Sequence, residues 1–232
     1  MAPKRNKGSR KARMSDETVR APAAGGVIQR TPGIPPRIRS TTFGTRVTNT
    51  ELLAGINVSA GGAFSVVGAG LFPSNLGWLN GIASNYSKFR WLSIKLIYVP
   101  IVPTTTAGAM TMALSYDPAD ATPASFQQVQ QMYNSITAPV WAGFDGATVQ
   151  LLGDRPTTGA VCIDVDVNRF GFIWYRYATL AAINALTAND RNLYIPSVCN
   201  VATSGGTLAT NVGNLMIKYS IELIEPIPAA IN

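Results

Sequence analysis

Four stretches of the chain alternate apolar and polar side chains with the two-residue period of a strand buried on one face. In LSIKLIYV (92–99), Leu92, Ile94, Leu96 and Tyr98 fall on one side, Ser93 and Lys95 on the other. GAMTMALS (108–115) places Met110, Met112 and Leu114 together, with Thr111 among small residues opposite. VCIDVDVN (161–168) sets Val161, Ile163, Val165 and Val167 against Cys162, Asp164, Asp166 and Asn168. LMIKYSIELI (215–224) turns Leu215, Ile217, Tyr219, Ile221 and Leu223 inward. Turn-rich segments such as PIVPTTTAG and TSGGT lie between them. Short strands separated by turns predict an all-β, antiparallel sandwich.

Two segments break this period. Thr122-Pro123 has the form of an N-cap followed by proline at the first helical position, and Phe126, Val129 and Tyr133 then recur at helical spacing. LAAINALTAND (180–190) is the second short helix, and both are expected to cross over a sheet end. Residues 52–87 contain no Lys, Arg, Asp or Glu. Gly, Ser, Asn and Pro interrupt the run well short of the ~20 apolar residues of a membrane span. Depletion of charge marks surface covered by a neighbour, and a polar, uncharged, loop-rich surface has the same composition.

Charge sharpens the division of the chain. Residues 1–46 hold 11 Lys and Arg against Asp16 and Glu17, a net of +9, while residues 47–232 carry −2. The first 46 residues read as a largely disordered basic arm, rich in Gly, Ala and Pro and without apolar periodicity, and 47–232 as the folded domain. Lys4, Arg5, Lys7, Arg10, Lys11, Arg13 and Arg20 are the candidate RNA-binding residues. They would neutralise phosphates and release counterions without reading sequence. No aromatic residue precedes Phe43, so base stacking is not the arm's mode. A nuclear-localisation signal, a membrane-surface patch or a solvated tail share this composition.

Enzymatic chemistry is short of parts. The chain has no histidine, which removes Ser-His and Cys-His pairs and imidazole metal ligands. Cys162 and Cys199 are its two cysteines, expected as buried thiols with one bridge possible. Asp164 and Asp166, about 7 Å apart at strand spacing, are the one carboxylate pair with a glycosidase-like arrangement. Asp117 and Asp120 pose a different question, since they are the only charged side chains from Ile101 to Phe144.

The middle of the chain answers it by resemblance. Tyr98-x-Pro100, seven residues, Gly108-x-Met110-x-Met112-x-Leu114, two residues, Asp117, five residues and Pro123 resemble the shell-domain signature of small icosahedral plant-virus coat proteins of the sobemovirus-like, single-shell-domain type. Leu114 departs from the pattern, which more often has an aromatic there. The segment ASNYSKFRWLSIKLIYVPIVPTTTAG resembles the strand leading into that motif. The resemblance implies an eight-stranded antiparallel jelly roll with short crossover helices, self-assembling into a T = 3 shell of about 180 copies. It implies an arm directed inward to single-stranded genomic RNA, in a virion assembled in the host cytoplasm, with no membrane partner and no projecting domain. TPGIPPR (31–37) would be an ordered connector or a plain linker. The family binds Ca2+ between subunits through a D-x-x-D loop matched by Asp117 and Asp120. A tyrosine carbonyl of the neighbouring subunit, best matched by Tyr177 with Tyr175 as the alternative, and the terminal Asn232 complete the implied set. On the residues alone, the alternative is that Asp117 caps a turn before Pro118 and Asp120 helps to cap the helix. A cellular jelly-roll module binding RNA or carbohydrate, with a basic tail, is the alternative reading.

Overall fold

A computed structural model describes residues 36–42, 44–143, 161–207 and 209–227. In chain order the strands are β1 (Arg37–Ser40), β2 (Gly44–Val58), β3 (Ser65–Gly70), β4 (Tyr86–Pro100), β5 (Ala109–Ser115), β6 (Ile136–Pro139), β7 (Cys162–Val165), β8 (Tyr175–Arg176), β9 (Val198–Ser204) and β10 (Thr210–Pro226). Among the described residues three short helices interrupt them: α1 (Gly77–Ala83), α2 (Phe126–Gln130) and α3 (Leu180–Asn184). One sheet runs β1-β2-β10-β4-β7, with the two-residue β8 also on β4, and the other runs β3-β9-β5-β6. All pairings are antiparallel. Without β1 and β8, two four-stranded sheets remain, joined by Greek-key crossovers: the eight-stranded jelly roll that the resemblance implied.

The alternating stretches supply the core between the sheets. Leu215, Ile217, Tyr219, Ile221 and Leu223 of β10 are all buried, and so are Met110, Met112 and Leu114 of β5. Each aliphatic side chain so removed from water contributes about 1.5–3 kcal/mol. β5 is covered on its second face as well. Ala113 packs with Ala202 and Val129 under α2, and Thr111 is buried beside them, donating to Ile136 O at 3.2 Å.

Leu92 does not join Ile94, Leu96 and Tyr98 on the core side. The pairing of β4 with β10 skips it, because Ser220 faces Ser93 while Ile221 faces Trp91. This β-bulge inverts the alternation, so Phe89 and Trp91 point inward before it and the even-numbered residues after it. β7 likewise ends earlier than its alternation, at Val165, and Val167 belongs to a 3-10 turn.

The helices also depart from expectation. Ser125, not Thr122, caps α2: its Oγ accepts from Gln128 N at 3.2 Å while Gln128 Oε1 accepts from Ala124 N at 2.7 Å. That is a variant of the S-x-x-Q capping box. The helix stops at Gln130, leaving Tyr133 outside it and exposed. Thr179 caps α3, which ends at Asn184 and is followed by a 3-10 turn over Asp190–Leu193. Helix α1 lies in the uncharged run and sends Leu79 and Ala83 into the core, joined by Leu71, Phe72 and Leu76 just before it. Much of that charge depletion is therefore intrachain core, although Leu52 and Trp78 stay exposed.

Glu51 fastens α1 to the large sheet. Leu76, the α1 N-cap residue, makes no side-chain cap, and the Trp78 amide donates instead to Glu51 Oε2 at 2.8 Å. The other carboxylate oxygen accepts a short hydrogen bond from the Tyr219 hydroxyl. Burial and the adjacent carboxylate push the Tyr219 phenol up, which keeps it a donor. Glu51→Ala is expected to lower stability by about 1.5–3 kcal/mol, as for hydrogen bonds to a charged group. Equilibrium unfolding in urea reads this loss, and Glu51→Gln, which keeps an acceptor, should lose less.

Candidate functional site

β5 delivers the carboxylate pair to one end of the small sheet. The strand ends at Ser115, and a turn follows in which Asp120 N donates to Asp117 O at 3.2 Å. Ser115 Oγ lies 2.9 Å from both Asp117 O and Asp120 Oδ2, so its single proton serves one or the other. Asp117 Oδ1 accepts from Ala119 N at 2.8 Å, an Asx turn. Asp117 thus does cap a turn before Pro118, whereas the α2 cap is Ser125 rather than Asp120.

The two carboxylates line a cavity of about 580 Å³ together with Asn75, Gln128, Asn184, Asn200 and Arg191. Among the described residues, Asp117 Oδ2 and Asp120 Oδ1 have no hydrogen-bond or ion-pair partner. Open carboxylate oxygens are the hard donors that Ca2+ requires, so the pair fits the ion the resemblance implied. It does not complete a site. No group of three or more His, Cys, Asp or Glu is assembled among the described residues, and six to eight oxygens are needed.

Arg191 is the member that sequence reasoning missed. Its terminal nitrogen donates to Asn184 O at 3.3 Å, while its Nε is buried without a partner among the described residues. Nothing in the local sequence around Arg191 signals proximity to the aspartates, because the α3 region brings it there. A guanidinium lining the same cavity lowers the site's affinity for any cation.

Tyr177 is not among the residues lining this cavity. Its hydroxyl donates to Asn80 Oδ1 at 2.6 Å and its amide to Ser87 O at 2.9 Å, placing it beside α1 and β4. Tyr175, the nearby alternative, is a core residue stacked on Phe89 with ring centroids 5.8 Å apart. Asn232 lies outside the described residues, as do Lys4, Arg5, Lys7, Arg10, Lys11, Arg13 and Arg20 and all but the last two residues of TPGIPPR. Arg37, Arg39 and Arg46, counted with the arm by charge, lie in β1 and β2, and the boundary drawn at residue 46 falls within β2.

The second carboxylate pair separates. Asp164 faces Lys95 across the β4–β7 ladder at 3.2 Å, while Asp166 lies past the strand end and accepts from Asn168 N at 3.1 Å. They do not form two facing carboxylates. Both cysteines are free thiols: Cys199 is buried in the core and Cys162 is half-buried beside Ile97 and Val99. Burial pushes both thiols up, away from the reactive thiolate.

The viral coat protein (S domain) family matches residues 16–229. The chain belongs to that family. The capsid protein of tobacco necrosis virus strain D is 40% identical over 221 residues, covering 94% of this chain and 81% of the relative. That of strain A is 40% identical over 213 residues, covering 91% and 76%. The solved structure of tobacco necrosis virus matches the fold with a TM-score of 0.83 at 40% identity, over 92% of this chain and 96% of the other. The structure of cocksfoot mottle virus matches with a TM-score of 0.70 at 22% identity, over 80% and 96%, which supports the fold alone. As a viral coat protein the chain is a structural component of a virion rather than an enzyme.

Proposed function

We propose that this coat protein closes into an icosahedral shell of T = 3 geometry, about 180 copies, around single-stranded RNA held by its basic arm. The observation that carries the reading is the shared architecture: a jelly roll matched across 92% of the chain at 40% identity, with residues 1–36, of net charge +6, ahead of its first strand. At that copy number the arms bring on the order of 1,100 positive charges inside, enough to neutralise part of a genome of a few thousand nucleotides. Exposed apolar side chains support subunit packing; Ile173 is 74% exposed, and Phe172 beside it, Leu180 at the start of α3 and Leu193 in the 3-10 turn also stand out. Assembly takes place in the host cytoplasm. Particles purified from cells expressing the full chain are expected to sediment as one large species and to retain single-stranded RNA after nuclease treatment. A species of one to a few subunits would oppose the shell, and nuclease-sensitive or absent RNA in intact particles would oppose packaging.

Ca2+ at subunit contacts is the cofactor that fits this reading. Asp117 and Asp120 would hold it, with the Tyr177 carbonyl and Asn232 of an adjacent subunit as further ligands. The bound ion would supply charge neutralisation, and the chain's own carboxylates would repel one another without it. Chelation at mildly alkaline pH is therefore expected to swell wild-type particles, read as hydrodynamic radius. Particles of Asp117→Asn/Asp120→Asn should keep the same radius with and without chelator. Wild-type particles whose radius ignores the chelator would contradict the assignment.

A further inference from the structure

The outer face of the large sheet carries charge that the arm does not account for. Antiparallel pairing sets Arg37 opposite Thr48 and Arg39 opposite Arg46. Cross-strand partners point the same way, so three guanidiniums and one hydroxyl share one face of the β1–β2 hairpin and line a notch of about 250 Å³. Like charges directly opposite each other are destabilising, and the local acid does not relieve them. Glu222, which faces Arg46 on β10, is bound to Arg90 at 2.6 Å and accepts from Thr41 at 3.2 Å. Arg46 donates its Nε to Ser220 Oγ at 2.9 Å, which leaves its terminal nitrogens for the notch. The Arg37 and Arg39 guanidiniums have no ion pair or hydrogen bond among the described residues. Farther along the same face, Lys218 stands opposite Lys95.

We propose that this notch is a phosphate-binding site on the folded domain and that its ligand is the RNA backbone. Guanidiniums present paired donors matched to phosphate oxygens, while the Thr48 hydroxyl donates to Ser220 Oγ at 3.3 Å. Among the described residues no aromatic side chain lines the notch, so contact there is to backbone and independent of sequence. Position selects RNA over other anions: seven basic residues lie between Lys4 and Arg20, and the sixteen residues that follow, Arg30 among them, lead into β1 at Arg37. A strand engaged by that segment has this face as its next cationic surface. The inference rests on the arm–RNA reading and extends it, since contact then continues onto the shell domain itself.

The test is anisotropy of a labelled, mixed-sequence single-stranded RNA of about 20 nucleotides across a salt series, using the full chain. Single-stranded contacts contribute about 0.7 each to the slope of log K against log salt. Arg37→Gln/Arg39→Gln/Arg46→Gln is expected to flatten that slope by about 2 without lowering the unfolding midpoint, because it relieves a like-charge pair. The corresponding triple lysine variant keeps the charge and should keep the slope. If the glutamine triple melts early, Arg37→Gln alone, which removes no described contact, should flatten the slope by about 0.7. A folded glutamine variant with the parent's slope overturns the notch. Lys4→Gln/Arg5→Gln/Lys7→Gln, measured in parallel, separates the two readings: a change there with none in the notch variant leaves the arm standing, and no change in either removes both.

Discussion

Trp91→Ala is expected to cost about 3–5 kcal/mol, enough to leave little folded subunit for assembly. Trp91 is 5% exposed and lies where the β4 bulge turns the alternation over. Its ring meets Tyr219 edge-on with centroids 5.5 Å apart and Phe89 at 6.0 Å. Its indole N–H donates to Leu71 O at 3.0 Å, tying the loop after β3 to the large sheet. Truncation therefore removes apolar area, opens a cavity between the sheets and leaves a buried carbonyl without its donor. Trp91→Phe retains most of the ring contact and loses the hydrogen bond, so about 1–2 kcal/mol is expected. Urea unfolding of dissociated subunits measures both. A Trp91→Ala midpoint within error of wild type would mean that the inter-sheet core is not organised around this ring.

Neutralising Lys4, Arg5, Lys7, Arg10, Lys11, Arg13 and Arg20 to glutamine is expected to have the largest effect on RNA. Seven lost phosphate contacts would flatten the slope of log K against log salt by about 5 and lower affinity at low salt by orders of magnitude. The effect should be uniform across RNA sequences, because phosphate contacts carry no sequence information. The shell domain's stability should not change, since among the described residues the core is built from Val47 to Leu223. RNA content per particle and a salt-titrated binding curve check the two parts. An unaltered slope with all seven charges removed would place the RNA contacts elsewhere on the chain.

The core was the most legible part of the sequence, because burial on one face of a strand writes itself directly as a two-residue period. β10 follows that period along LMIKYSIELI, which lies within a single strand. Legibility failed where a tertiary partner decided the outcome. Leu92 reads as a core residue by parity, and only the register against Ser220 and Ile221 reveals the bulge. Helix α1 has no side-chain cap of its own, since Glu51 reaches it from β2. The α2 start was available in principle as S-x-x-Q at 125–128, but Thr122-Pro123 offered a competing signal. At the candidate calcium site the aspartate pair was visible by its isolation in sequence, and Arg191 was not, because only the fold brings it to the same cavity. Charge counting merged Arg37, Arg39 and Arg46 with the arm; their place in paired strands changes what they can do.

Electron microscopy of the purified full chain tests the central claim most directly. The account predicts closed, uniform shells roughly tens of nanometres across. A homogeneous population of one to a few subunits, under conditions where the protein is folded and RNA is present, would contradict it.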